Sequence, residues 1–187
     1  MRTLRFMNHC SIVMLSLWIL TACTTKGVND RDISSENSQS PDSHVPVVTP
    51  KYETYVKAGQ PLPLEAVETI DGKSIQFGRS DSRTLVILFA TWCSDSQRAM
   101  KALKTSPLLK DKGVRIVAIA RENTPAEVEQ FKAEYDLTID MVADVDRRIY
   151  KQFASAGIPR FIMVDEDNNI VNAVLAEGEN QMDLIQW

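Results

Sequence analysis

Residues 84–103 constrain what this chain can fold into more than any other stretch. They read Thr-Leu-Val-Ile-Leu-Phe-Ala-Thr-Trp-Cys-Ser-Asp-Ser-Gln-Arg-Ala-Met-Lys-Ala-Leu. Residues 85–89 are an unbroken apolar run with the length and β-branched content of a strand buried on both faces. Beyond it, Ala99, Met100 and Leu103 recur at helical spacing. Between the two lie Trp92, Cys93, Ser94, Asp95 and Ser96. A strand running directly into a helix puts the joining residues at the carboxyl edge of its sheet, with Cys93 at the helix amino terminus. Unsatisfied N–H groups and a partial positive charge at that end favour a thiolate over a thiol. The carboxylate of Asp95, two residues on, opposes it.

The rest of the chain from residue 51 supplies partners for that strand. Residues 62–70 and 73–77 read as two short strands around Asp71-Gly72, a strong hairpin signal. Residues 114–120 are a second buried strand. Thr124 and Pro125 then supply an N-cap and a first-turn proline for a helix whose inner stripe is Val128, Phe131 and Tyr135. Residues 139–143 are expected as a short edge strand, and residues 144–154 as a helix with Ile149, Tyr150 and Phe153 inward. Residues 157–165 and 170–175 form two strands around a polar turn, and residues 180–187 a short closing helix.

The segment Phe89-Ala90-Thr91-Trp92-Cys93 resembles the active-site segment of thioredoxin-like proteins, in particular the membrane-tethered TlpA/ResA-like thiol-disulfide reductases. The order strand–helix–strand–helix followed by strand–strand–helix is also theirs. The resemblance covers residues 56–187 and implies an α/β thioredoxin-like fold: a mixed central sheet covered by helices, with an amino-terminal β-hairpin extension. It implies that Trp92 is the aromatic beside the reactive Cys93. It implies too that Ile158-Pro159 is a cis bond facing that cysteine, with the backbone of Ile158 offered to an extended substrate. Arg160 departs from the usual Thr of the family, and reads either as a positive charge near Cys93 or as a solvated strand residue. Ser96 stands where the family carries its second, resolving cysteine. A hydroxyl there can hydrogen-bond the Cys93 thiolate but cannot attack a mixed disulfide. Ile87 stands where thioredoxin keeps a buried acid. The closing helix is shorter than the family usually has.

The start of the chain reads differently. Arg2 and Arg5 precede a ten-residue apolar core, residues 11–20, too short to span a bilayer and suited to a signal peptide. It ends in Leu20-Thr21-Ala22-Cys23, which resembles a bacterial lipoprotein cleavage box; the alternative is an ordinary signal peptide or amino-terminal anchor. On the lipoprotein reading residues 1–22 are removed, Cys10 with them, and Cys23 is lipidated. Acylation by more than one chain anchors stably, at about 0.8 kcal/mol per buried methylene. Residues 23–50, rich in Ser, Thr, Asn, Asp and Pro, then form a flexible tether of roughly 30 Å reach. Residues 51–187 make up the domain.

Composition removes several function classes. Net charge is −4, and −6 without residues 1–22 (19 basic against 25 acidic), with no basic cluster to bind nucleic acid. His9 and His44 both lie outside the domain, so a Cys–His hydrolase would lack its base. No metal-ligand spacing or Gly-rich phosphate loop occurs, and no cofactor or metal is expected. The peroxiredoxin pattern fails, since Ala90 stands three residues before Cys93 where that pattern has Thr. The resulting expectation is a lipid-anchored protein of the bacterial cell envelope, acting on protein thiols or disulfides through Cys93, with Ser96 and Trp92 beside it and an external thiol to resolve the mixed disulfide. The alternative is a redox-silent module that holds an extended peptide in the groove beside Trp92 and Pro159.

Overall fold

The computed structural model describes residues 52–187. The expected signal segment, Cys10, Cys23, the tether and both histidines lie outside the described residues. The central strand β3, Arg83–Phe89, is the apolar run, and its two sets of alternating side chains enter two cores. Parallel to it runs β4, Val114–Arg121, and parallel to β4 the edge strand β5, Asp140–Asp144. On its other side β3 pairs antiparallel with β6, Arg160–Val164, which pairs antiparallel with β7, Ile170–Leu175. The sheet order β5-β4-β3-β6-β7 is therefore mixed. β1, Ala66–Glu68, and β2, Ser74–Gln76, form the separate amino-terminal hairpin. Gly72 takes the turn at φ 75°, a left-handed conformation that costs a residue without Cβ little.

One face of the sheet is covered by helices. Leu85, Ile87 and Phe89 pack with Ala99, Met100 and Leu103 of α1, Ser94–Thr105, and with Val128 and Phe131 of α2, Pro125–Glu134. α2 begins with a full capping box. Thr124 accepts from the Glu127 amide, and the Glu127 carboxylate accepts from the Thr124 amide. Hydrogen bonds from the Thr124 amide first, then from the Thr124 hydroxyl and Asn123, hold the Glu127 carboxyl below its ordinary value.

Among the described residues, the opposite face has no α-helix. Val86, Leu88, Ile162 and Val164 pack there against Val67 and Ile75 of the hairpin, Val56, Leu62 and Leu64 before it, and Tyr150 and Phe153. The expected helix at 144–154 is instead the end of β5, a turn, and one 3-10 turn at Tyr150–Gln152. The cause is local. The Asp144 carboxylate accepts from the amides of Ile149 and Tyr150, and Arg147 sits at φ 64°, so no continuous helix can form. Tyr150 and Phe153 nevertheless point inward as their spacing implies. The first expected strand shortens as well, because the Leu62 amide donates to the Asn168 carbonyl and not to a neighbouring strand. The expected closing helix reduces to a 3-10 turn, Gln181–Leu184, preceded by Asn180 at φ 54°.

Candidate functional site

β3 delivers Cys93 to the sheet's carboxyl edge. Cys93 is the N-cap of α1, in extended conformation, and its carbonyl accepts from Gln97 to start the helix. Its side chain is a free thiol, half-buried, with Sγ 3.8 Å from the Ile158 carbonyl oxygen. The bond between Ile158 and Pro159 is cis. Cys93, Ile158 and Pro159 thus meet, although 65 residues separate Cys93 from Ile158.

Trp92 is 58% exposed, and the Arg121 guanidinium lies 5.9 Å from its ring centre. Exposure of so large an apolar ring beside a thiol leaves a surface on which an extended chain can pack. Ser96 is fully buried, and its hydroxyl oxygen accepts from the Ala90 amide at 3.3 Å. The bond ties the first turn of α1 back to the end of β3. The hydrogen-bond partner of Cys93 is Ile158, not Ser96.

Arg160 is not the solvated strand residue that one of the two readings expected. It is 1% exposed, and its guanidinium donates to the carbonyls of Gly157 (3.0 Å) and Ala156 (2.6 Å) and to the Thr54 hydroxyl (2.8 Å). Tyr150 donates to the same Gly157 carbonyl at 2.7 Å. Together these bonds fix the backbone immediately before Ile158. Gly157 itself sits at φ 86° with a Tyr52 ring carbon 2.6 Å from where a Cβ would lie, so only glycine fits. On the far side the Pro159 carbonyl accepts from Ala176, just past β7, at 2.8 Å.

Sequence reasoning passed over the groups that hold the loop before Cys93. Asn123 is buried; its Oδ1 accepts from the Thr91 amide and its Nδ2 donates to the Thr91 hydroxyl. Gln97 donates to the Thr91 carbonyl at 2.8 Å. Isolated amides carry no periodicity, and the one available signal was the position of Asn123 directly before the Thr124 cap. Among the described residues, no three His, Cys, Asp or Glu side chains converge as a metal ion requires.

A strand-to-helix cysteine facing a cis-proline at the carboxyl edge of a mixed five-stranded sheet defines a thioredoxin-like protein. Residues 57–183 match the Redoxin family model, and the chain belongs to that family. Among curated relatives it is 25% identical over 124 residues to a thiol-disulfide oxidoreductase ResA of Bacillus cereus, covering 65% of this chain and 72% of that one. To ResA of Bacillus subtilis (strain 168) it is 22% identical over 121 residues, with 64% and 68% covered. Its fold is similar to that of a secreted Mycobacterium tuberculosis disulfide oxidoreductase homologous to E. coli DsbE. The TM-score is 0.56 and the identity 17%, over 64% of this chain and 90% of that one.

Proposed function

We propose that this chain is a lipid-anchored protein of the bacterial cell envelope that performs thiol–disulfide exchange with Cys93 as its single reacting sulfur. The observation that carries the proposal is the approach of the free Cys93 sulfur to the Ile158 carbonyl beside cis Pro159, with a hydroxyl, Ser96, three residues further along. The names of the ResA relatives support the reaction class, and the compartment rests on the Leu20-Thr21-Ala22-Cys23 box of the sequence.

An extended substrate laid against Ile158 brings its disulfide to Cys93. The thiolate attacks one sulfur; the substrate S–S bond breaks, a Cys93–substrate S–S bond forms, and the departing sulfur leaves as a thiolate that takes a proton from water. Ser96 carries no thiol to attack the Cys93 sulfur and release the substrate. A second molecule, an external thiol, attacks the substrate sulfur of the mixed disulfide. Cys93 is released as thiolate, and the substrate sulfur is left bonded to the external thiol. Exchange therefore turns over only when such a thiol is supplied.

The test is disulfide reduction of insulin by the full chain, with and without a small thiol. Turnover is expected only with the thiol, and loss of it in Cys93→Ser. Sustained turnover by the Cys93→Ser protein overturns the single-sulfur mechanism. A Cys93→Ser protein that still binds its partner with undiminished affinity favours the redox-silent module instead. The anchor is tested separately: Cys23→Ala should move the protein out of the membrane fraction.

A further inference from the structure

The weak point of the site, read as chemistry, is Asp95. Its carboxylate belongs to the first turn of α1, two residues past Cys93, and is 29% exposed, so water screens it only in part. A negative charge there repels the thiolate on which the exchange depends.

The structure answers that charge with Arg98. One turn along α1, its guanidinium forms an ion pair with the Asp95 carboxylate. The same group donates to the Gly178 carbonyl at 2.9 Å and approaches the Glu179 carboxylate at 3.3 Å. Gly178 and Glu179 lie after β7, in the segment that continues into the last 3-10 turn. Gln181 of that turn is 2% exposed, and its amide donates to the Asp95 carbonyl at 3.0 Å and to the Ala176 carbonyl. The carboxyl-terminal segment thus grips α1 at Asp95 and Arg98, and its own path is fixed by Gly178 and Asn180 in left-handed conformations. Glu179, 79% exposed, is largely screened, so the Arg98 charge acts mainly on Asp95.

We infer that Arg98, clamped in place by the segment after β7, is a positioning residue: it neutralises Asp95 and so preserves the electropositive helix end on which the Cys93 thiolate rests. The inference rests on the reading of Cys93 as the reacting sulfur. The Arg98 guanidinium is itself raised above its ordinary value, first by the hydrogen bond to Asp95, with Glu179, Asp95 and Cys93 adding their charges in turn against the opposing effect of desolvation. It also gives the short closing turn a task, since Gln181 and the Gly178 carbonyl hold the pair together from outside the helix.

The experiment measures the second-order rate of Cys93 alkylation by iodoacetamide at neutral pH. It uses the full chain, with the Cys93 peptide quantified by mass spectrometry. Arg98→Gln is expected to slow labelling about three- to tenfold, through the uncompensated Asp95 charge. Arg98→Lys should recover most of the rate, and Asp95→Asn combined with Arg98→Gln should return it to within about twofold of the parent. A merely structural Arg98 would instead leave the double variant as slow as Arg98→Gln, and that result overturns the inference. So does an Arg98→Gln rate equal to the parent's. A parent rate no higher than that of a short cysteine peptide overturns the reading of Cys93 itself, whatever Arg98 does.

Discussion

The two faces of the sheet are built by different means. Behind Leu85, Ile87 and Phe89, two α-helices present continuous apolar stripes, and the packing is side chain against side chain. On the other face, before Ile158, the chain follows an irregular path. Buried polar side chains reach its backbone: Asp144 to two amides, Tyr150 and Arg160 to the Gly157 carbonyl, and Arg160 to the Ala156 carbonyl. Cys93 stands where the two meet, borne by a helix of the first face and in contact with the loop of the second. A helix fixes its residues through its own backbone ladder. An irregular loop has none, so every carbonyl that is buried needs a specific donor.

The contrast is sharpest under mutation. Leu103→Ala, on the helix side, should destabilise by about 2–5 kcal/mol in denaturant unfolding and leave the per-molecule rate of Cys93 exchange nearly unchanged. Arg160→Leu should cost somewhat less, about 2–3 kcal/mol, because it strands the Ala156 carbonyl and the Thr54 hydroxyl and leaves the Gly157 carbonyl to Tyr150 alone. Unlike Leu103→Ala, it should also slow exchange, since the backbone before Ile158 loses its support. If the two variants change exchange equally, the two faces do not divide the work.

A smaller effect probes the helix side alone. Thr124→Ala should cost about 1 kcal/mol by opening the capping box of α2. Glu127 adds a pH dependence with a definite sign. Its folded carboxyl lies below the ordinary value, so its contribution is present above the unfolded carboxylate range and fades as pH falls through the folded one. Stability of Glu127→Gln, followed by urea unfolding at stepped pH, should therefore decline less steeply on acidification than that of the parent.

This division explains what could be read from the sequence. β3, the turn at Cys93, α1 and α2 were legible, because apolar spacing and the Thr124-Pro125 start are local signals that the backbone obeys. The segment 144–154 was not. Its inward residues repeat with helical spacing, yet the Asp144 side chain takes two of the amides that the helix would have used. Arg160 misled for a related reason. Charge on a strand suggests solvent, and its three acceptors, at residues 54, 156 and 157, are gathered only by the folded chain. Among the candidate residues, the fold brings Cys93 to the Ile158 carbonyl and places the Ser96 hydroxyl against the Ala90 amide.

The chain enters the domain beside this same loop. Residues 53–55 run antiparallel to residues 153–155: the Ser155 amide donates to the Glu53 carbonyl, the Tyr55 amide to the Phe153 carbonyl, and Thr54 receives Arg160. Any mechanical load arriving from the amino-terminal direction therefore reaches the support of Ile158 and Pro159 before it reaches the central sheet. Tension sufficient to peel three residues would loosen the loop before Ile158 and Pro159 while leaving the five strands intact, so a pull on the chain ahead of residue 53 would be felt first beside Cys93.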